Sequence, residues 1–337
     1  MSLLLSLRLI ASPAAAEDLH VVHAGETLES IAAAAGVAPA DVRAANPGDA
    51  GRALKPGDLV RLPGGAPSAQ SMVLTRSGSG RVTLPGGVQA PLTPGMSLPI
   101  GCTVCTDPES YTTLRLAAVD ETHAHDEVTL LAGTCLTLDG SSVRSGRRSS
   151  VVSVQQGSVA VRDSGAAPGT VSVRAGQAVT AGEAGGFRLT VEEGGAARTE
   201  AITHPVAVFG AQTQVELAAG YGSRVEEGKI PSAPVPLLLG GALLSPGPGE
   251  PLRTADFSWE GVPYALSFRV EIATDPEFSD LLRVAEVSRL RWDPERLMLP
   301  YRGIETWWWR VTPVDRLGFV GVPSSPSRLA VPPGVGR

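Results

Sequence analysis

Two histidines and several carboxylates lie close together in one stretch of the sequence, DETHAHDE, from Asp120 to Glu127. If this stretch is extended, His123 and His125 share a face, because alternate residues of a strand point the same way. Imidazole and carboxylate groups on one face are a ligand set that zinc or copper accepts. The stretch also joins two apolar segments, LRLAAV and VTLLAG, where a polar loop is expected. We favour the loop and predict no metal site, with metal binding as the alternative.

Three cysteines, Cys102, Cys105 and Cys135, are the residues with possible redox chemistry. Cys102 and Cys105 form a C-x-x-C spacing, but no βαβ pattern surrounds them, which argues against a thioredoxin-like role. The spacing also supplies no further ligands for a metal. We predict a disulfide between Cys135 and one of the other two cysteines, with one thiol left over, as fits an exported protein.

Catalytic signatures are absent from the sequence. No HExxH, GxSxG, P-loop or dinucleotide-binding motif occurs, and no spacing places an acid and a base around a scissile bond. The formal net charge is −6 and no basic block occurs, so we expect neither nucleic acid nor an anionic membrane surface as a partner. We predict that the protein is not an enzyme and needs no cofactor.

The secondary-structure pattern is clearest near the N-terminus. There the spacing of apolar residues changes from that of a strand to that of a helix and back again. Turn and capping residues punctuate this region: Gly residues for turns, a Thr for a helix start and an Asn-Pro pair for a helix stop. The expected elements are a strand at 20–23, a helix capped by Thr27 and ended by Gly36, a helix from Pro39 to Asn46-Pro47, and a strand at 59–62.

This region, residues 20–63, resembles a LysM module over the whole module length. The matching positions are Val22, Gly25, Thr27, Leu28, Ile31, Ala32, Asn46, Pro47, Leu54, Pro56, Gly57 and Pro63. Two positions depart from the pattern: His20 stands where an aromatic residue is usual, and Glu26 where Asp is usual. The resemblance implies a βααβ fold that binds polymers containing N-acetylglucosamine, such as peptidoglycan.

The resemblance also implies a shallow groove between the loops Gly25–Leu28 and Leu54–Gly57. Backbone groups there would bond the acetamido groups of the glycan, while Leu28 and Pro56 would cover the apolar face of a sugar. The alternative is that the Gly, Asn and Pro residues of this set only make turns. The candidate glycan-contacting residues are Gly25, Glu26, Thr27, Leu28, Asn46, Pro47, Leu54, Lys55, Pro56 and Gly57.

The N-terminal residues 1–16, MSLLLSLRLIASPAAA, have an apolar run followed by small residues, as in a signal peptide. No other apolar run reaches the ~20 residues that a membrane-spanning helix needs, so we expect no membrane insertion after cleavage. The chain has 337 residues, with 39 Gly, 28 Pro and 18% charged residues, and few long helical periods follow residue 46. This composition predicts a mainly β multidomain protein.

Residues 64–71 are small and polar, as in a linker, and residues 72–237 then alternate short apolar strands with Gly turns. The segments SVVSVQQGSVAVRDS and GGFRLTVEEGG show the strand period clearly, which suits a β-sandwich or a β-helical roll. The order of these units and the tract at 203–237 resemble the FecR family. That resemblance implies an exported, non-catalytic β domain of a kind often found beside LysM modules.

The last region begins after a second expected linker at 238–250, and residues 251–333 resemble a fibronectin type III or Ig-like β-sandwich. The resemblance rests on FSWEGVPYALSFRVEIATD and on WWWRVTPVD followed by a Gly turn. Of three consecutive tryptophans, Trp308 must face away from Trp307 and Trp309. We expect two rings to fill the core and the third to pack under a loop, rather than to form an exposed binding patch.

The sequence as a whole predicts an exported adaptor of the periplasm or cell surface. Its LysM module would hold peptidoglycan, and its two β domains would contact other envelope proteins. A FecR-type signalling regulator is the alternative, although the membrane helix of such regulators is not predicted in this sequence. An envelope enzyme or a metal-binding protein that uses the stretch from Asp120 to Glu127 is a further alternative.

Overall fold

The structure is a computed structural model that describes residues 18–49, 51–64, 66–67, 71–116, 125–163, 169–183, 185–250, 256–293 and 306–330. The predicted signal peptide and His123 lie outside these residues. Within them, neither helix has both the length and the apolar surface to cross a bilayer. Strands dominate the chain, which confirms the prediction of a mainly β protein with a βααβ start.

The N-terminal module contains strand β1 (Asp18–Val21), helix α1 (Leu28–Ala35), helix α2 (Pro39–Ala45) and strand β2 (Leu59–Leu62). The two strands pair antiparallel. The first strand begins two residues earlier than predicted, since Asp18 and Leu19 already pair with β2; buried Asp18 also accepts a 2.7 Å hydrogen bond from Arg144 of the next domain. The helices cover one face of the strands, and the small core consists of Val22, Leu28, Ile31, Ala32, Val42, Val60 and Leu62.

The middle domain consists of eighteen strands among the described residues. They are β3 (Ala66–Pro67), β4 (Ser71–Ser77), β5 (Gly80–Thr83), β6 (Gln89–Pro91), β7 (Ser97–Leu98), β8 (Thr103–Thr106), β9 (Tyr111–Leu116), β10 (Asp126–Leu130), β11 (Cys135–Arg144), β12 (Arg147–Asp163), β13 (Gly169–Ala175), β14 (Ala178–Glu183), β15 (Phe187–Val191), β16 (Ala197–Ala201), β17 (Val206–Gly210), β18 (Thr213–Leu217), β19 (Tyr221–Val225) and β20 (Val235–Pro236).

These strands form two sheets that share β12. One sheet has the order β6-β5-β8-β11-β12-β13-β14-β17-β18, and the other has the order β7-β4-β9-β10-β12-β15-β16-β19-β20. From β13 onward, successive hairpins alternate between the sheets, so the chain winds around one core. The predicted linker at 64–71 is partly wrong, since β3 pairs with β11 and β4 begins at Ser71.

The crossing of β12 between the sheets occurs at Gly157. The residues before it pair with β11 and β13, and the residues from Gly157 onward pair with β15. Gly157 has a φ of 89°, and a Cβ here would lie 2.6 Å from the Cα of Thr134. Only glycine suits this bend, because a side chain would be strained and would also clash. Apolar side chains of both sheets then meet in one core that includes Val152, Val173, Val208, Leu114 and Leu189.

The C-terminal domain packs a three-stranded sheet against a four-stranded one. Its strands are β21 (Leu243–Ser245), β22 (Phe257–Trp259), β23 (Ala265–Ala273), β24 (Leu281–Val287), β25 (Arg291–Trp292), β26 (Thr306–Asp315) and β27 (Ser327–Ala330). The sheet orders are β21-β22-β25 and β24-β23-β26-β27. The predicted linker at 238–250 is therefore partly wrong, since β21 lies within it and pairs with β22.

The three consecutive tryptophans divide between two faces of β26, as the strand period predicts. Trp307 and Trp309 are 1% and 0% exposed and fill the core between the sheets. Trp308 points the opposite way and is half-buried. It packs not under a loop alone but in a cluster that joins this domain to the middle domain through Tyr111 and Phe278. Trp308 is thus part of an interdomain contact.

The structure pairs Cys105 with Cys135 in a disulfide between β8 and β11. Cys102 is left as a thiol that is 0% exposed, and burial raises its pKa to about 11. A buried thiol of this kind is inert, which agrees with the expectation that the C-x-x-C spacing is not a redox site.

Removing the disulfide is expected to lower the free energy of unfolding by about 3 kcal/mol, because the open chain regains conformational entropy. The measurement is urea denaturation of the variant with Cys105→Ser and Cys135→Ser. Alkylation provides a second test: the intact protein should take up no iodoacetamide until it is unfolded, when Cys102 reacts. Rapid labelling of the folded protein would contradict this assignment.

Candidate functional site

The two loops that are predicted to contact glycan lie next to each other. The backbone pairing of β1 with β2 continues for one residue beyond the strands, to Val22. The Gly57 N–H donates to the carbonyl of Val22 at 2.8 Å, and the Val22 N–H donates to the carbonyl of Asp58 at 2.9 Å. These two hydrogen bonds hold the ends of the loops side by side. The geometry therefore brings Gly25–Leu28 and Leu54–Gly57 to one edge of the module.

The first loop is shaped by a turn and a helix cap. Gly25 has a φ of 85°, a conformation that favours glycine. Thr27 then caps α1, since its Oγ1 accepts from the Ser30 N–H at 3.1 Å while its own N–H donates to Ser30 Oγ at 2.9 Å. The loop is short and rigid, and both Gly25 and Thr27 are exposed to solvent.

The two residues that depart from the LysM pattern contact each other. Glu26 Oε2 lies 2.8 Å from Nε2 of His20 and accepts from the His23 N–H at 2.7 Å. An Asp at position 26 has a shorter side chain and would not reach His20 on β1 as well. The Glu at position 26 therefore suits the His at position 20. This coupling is not visible in the sequence, because the two residues are six positions apart and meet only when the turn folds back on β1.

The second loop is braced by an arginine between two carboxylates. Arg52 lies 2.6 Å from Asp49 and 2.7 Å from Asp58, and these hydrogen bonds raise its pKa. Asp58 also accepts from the N–H of Lys55 at 2.9 Å. The Lys55 side chain is exposed and Pro56 is half-buried, so the loop presents one cation and one apolar ring at its edge.

Two of the candidate glycan-contacting side chains do not face solvent. Leu28 is 7% exposed and belongs to the module core. Asn46 is 6% exposed, and its Nδ2 donates to the carbonyls of Val42 and Arg61 at 2.7 and 2.8 Å. Its Oδ1 accepts from the Arg61 N–H at 2.8 Å. We therefore assign Leu28 and Asn46 to the fold of the module and remove them from the ligand-facing set.

Of the remaining candidates, Leu54 is half-buried against the core and Pro47 is exposed beside the end of α2. The loop pair thus offers a ligand backbone groups together with polar and apolar side chains. The residues that remain available to a ligand are Gly25, Glu26, Thr27, Lys55, Pro56 and Gly57.

The middle domain covers one side of this loop pair. The ring of Phe209 contacts that of His23 edge to face at 5.3 Å, and a Cβ on Gly57 would lie 3.2 Å from Phe209. The Ala24 N–H donates to Oε1 of Gln214 at 3.0 Å. A ligand must therefore approach from the side of Thr27 and Lys55. No sequence signal indicated this contact, because its partners are about 190 residues apart.

The polar stretch from Asp120 to Glu127 is only partly described. Its last residues are not in a loop, since Asp126 and Glu127 begin strand β10. Asp126 pairs with buried Arg148 at 2.9 Å, and Glu127 contacts both His125 and Arg162. Among the described residues, no group of three His, Cys, Asp or Glu side chains is arranged to hold a metal ion. Asp126 and Glu127 contact arginines instead.

The contact between the middle and C-terminal domains is expected to weaken in acid, because it includes the carboxylate of Glu127. Burial acts to raise its pKa, but the hydrogen bond to His125 and the charge of Arg162 outweigh burial and lower the pKa from 4.5 to about 2. Glu127 and Arg162 both contact Ser279 of the C-terminal domain. Because the folded pKa is depressed, the stabilisation is complete above the unfolded value of 4.5 and is lost as pH falls toward 2.

The expected loss of stability over this range is up to about 3 kcal/mol. It is measured as the free energy of unfolding between about pH 5 and pH 2, where the Glu127→Gln variant should show a shallower decline than the unaltered protein. Parallel pH profiles of the two proteins would contradict this role of Glu127.

The fold and the loop pair together define a small βααβ binding module carried on a larger β scaffold. The module itself is a LysM domain, since the model of that family matches residues 20–63. LysM domains bind glycans that contain N-acetylglucosamine.

Comparisons of the whole chain add little. No curated protein matches it. A solved structure from Parabacteroides distasonis ATCC 8503, described as an anti-sigma factor, has 16% identity and a TM-score of 0.24. The match covers 49% of this chain and 59% of that one. A TM-score this low does not indicate a shared fold, and nothing about function follows from it.

Proposed function

We propose that the protein is an exported, non-catalytic adaptor that binds peptidoglycan through its LysM domain and contacts other envelope proteins through its β domains. The observation that carries the proposal is the loop pair at Gly25–Leu28 and Leu54–Gly57, joined side by side and open to solvent on the face away from Phe209. Backbone groups at such an edge suit the acetamido groups of the glycan, which need one donor and one acceptor each.

The remaining domains support a role in display rather than in catalysis. We propose that residues 72–237 are a FecR-like domain, because strand pairs separated by Gly turns alternate between two sheets there. The C-terminal domain has three strands in one sheet and four in the other, which supports a fibronectin type III or Ig-like sandwich. Both are rigid β scaffolds, and each carries its own apolar core.

Export is supported by two independent features. The first is the pattern of residues 1–16, an apolar run before a small-residue cleavage site. The second is the disulfide between Cys105 and Cys135, because disulfides persist in oxidising compartments such as the periplasm.

Co-sedimentation with purified sacculi tests the proposal. The intact protein should pellet with the sacculi, and the protein that lacks residues 20–63 should stay in the supernatant. Oligomers of N-acetylglucosamine should release the intact protein, whereas cello-oligosaccharides of equal length should not, since they lack the acetamido group.

Equal pelleting of the two proteins would show that the LysM domain is not the anchor. Equal competition by the two sugars would show that the acetamido group is not recognised. Two point variants refine the test. Lys55→Glu changes an exposed residue of the second loop and should reduce the fraction of protein that pellets. Arg43→Glu changes an exposed residue of α2, away from the loops, and should leave that fraction unchanged.

A further inference from the structure

A cavity of about 610 Å³ lies where the second sheet of the middle domain meets the four-stranded sheet of the C-terminal domain. Its volume is within the range of roughly 300–1,000 Å³ that small-molecule sites occupy. Buried apolar side chains from both domains form part of its wall, namely Val161, Phe187, Phe278 and Leu281. The cavity shares no residue with the glycan loops, and its assignment does not rest on the proposed function.

Cationic side chains form another part of the wall. Four arginines line the cavity, namely Arg162, Arg188, Arg269 and Arg310, and Arg188 and Arg269 are 8% and 9% exposed. Guanidinium groups are rarely buried to this degree without carboxylate partners, because removing their hydration is costly. Whether each of them has such a partner therefore decides what the cavity can bind.

Three of the four arginines are paired, and the first of them, Arg162, contacts Glu127. Arg310 donates to Glu271 at 2.5 Å and lies over the ring of Phe278. Arg269 donates through one nitrogen to Glu286 at 3.0 Å. Its Nε, however, is buried and has no hydrogen-bond partner within the described parts of the chain. The pairing of Arg269 is thus incomplete.

Arg188 forms no ion pair with any residue that the structure describes. Its Nη1 donates only to the backbone carbonyls of Val320 and Gly321, at 3.0 and 2.9 Å. Glu200, its cross-strand neighbour, is engaged by Arg198 at 3.1 Å and by the Val320 N–H at 3.2 Å. Burial raises the pKa of Glu200, while the charges of Arg188 and Arg198 act to lower it, so Glu200 and Arg188 interact electrostatically without an ion-pair contact.

The charges of the wall also limit the charge of a ligand. Glu271 and Glu277 both line the cavity, so a polyphosphate or other multiply charged anion would meet repulsion there. One guanidinium that makes no ion-pair contact with the nearby carboxylates of Glu200 and Glu271, and one unpartnered Nε, match a single anionic group. The apolar wall matches a hydrocarbon or aromatic body attached to it.

We infer that this cavity is a binding site for a small amphiphilic monoanion, a carboxylate on an apolar body, whose head group pairs with Arg188. The head group would accept hydrogen bonds from the Arg188 guanidinium and from the unpartnered Nε of Arg269. The body would lie against Phe187 and Phe278. Because the walls come from two domains, the ligand would also hold these domains together.

Titration of the full chain with decanoate at neutral pH tests this inference, with decanol as the uncharged control. Binding is followed by displacement of 1-anilinonaphthalene-8-sulfonate, a monoanion with an aromatic body, and by isothermal titration calorimetry. We expect decanoate to displace the dye and decanol to do so at least about tenfold less effectively. Equal displacement by the two compounds would overturn the inference.

Two variants locate the site. Arg188→Met should weaken decanoate binding at least about tenfold, whereas Arg81→Gln, an exposed arginine of the first sheet, should leave it unchanged. Glu277→Gln removes an exposed carboxylate from the rim and should strengthen binding by about threefold. If Arg188→Met separates the domains, the Glu277 variant decides alone, and no gain in affinity there would overturn the assignment.

Discussion

Replacing Asn46 with alanine is expected to unfold the LysM domain and so to remove its glycan binding. The Asn46 side chain joins the end of α2 to β2 through three hydrogen bonds, to Val42 and to both backbone groups of Arg61. Alanine leaves these backbone groups without partners, at a cost of about 4 kcal/mol in total. A domain of about 45 residues has only a few kcal/mol of stability in all, so the loss is decisive.

Hydrogen exchange of the full chain, followed by mass spectrometry, measures this effect within the intact protein. The Asn46→Ala variant should exchange rapidly throughout α2 and β2, while the middle domain keeps its protection. Pro47→Ala is the matched control, because Pro47 is adjacent and exposed. If Asn46→Ala keeps full protection but no longer binds glycan, Asn46 is a ligand contact and its assignment to the fold is wrong.

Replacing Arg148 with methionine is expected to destabilise the middle domain by about 3–5 kcal/mol. Arg148 and Asp126 are 2% and 1% exposed and pair at 2.9 Å between strands of different sheets. Gly169 packs directly over them, since a Cβ there would lie 2.7 Å from the guanidinium. Methionine would leave the carboxylate of Asp126 buried without its cation, which is the main source of the cost.

Urea denaturation followed by far-UV circular dichroism measures this loss, because all five tryptophans lie in the C-terminal domain and their fluorescence reports chiefly on that domain. The double variant Asp126→Leu with Arg148→Met should regain most of the stability, since both charges of this pair are then removed together. A double variant as unstable as Arg148→Met alone would show that packing around Gly169, not charge, sets the effect.

Much of the fold followed from local pattern. Alternation of apolar residues identified the strands, and the capping and turn residues Thr27, Gly36 and Pro39 identified the helices of the LysM domain. The opposite facing of Trp308 also followed from the strand period alone. The linkers at 64–71 and 238–250 were less well predicted, because a short strand such as β3 or β21 is stabilised by its partner rather than by its own sequence.

The candidate site was likewise predicted only in part from the sequence. Sequence matching located both loops of the LysM domain and the class of glycan, but it could not separate Gly25 and Thr27, which face solvent, from Leu28 and Asn46, which are buried. Burial depends on the side from which the rest of the chain approaches. That information is not contained in the loop itself.

The sequence by itself determined the mainly β architecture and the LysM domain, because strand period, helix caps and turns depend on residues close together in the chain. Only the tertiary structure decided that Phe209 and Gln214 cover one side of the glycan loops and that Cys105 rather than Cys102 bonds Cys135. It alone also showed that Arg188 is buried beside a cavity. These contacts join residues far apart in sequence, and they exist only once the sheets have taken their register and the domains have docked.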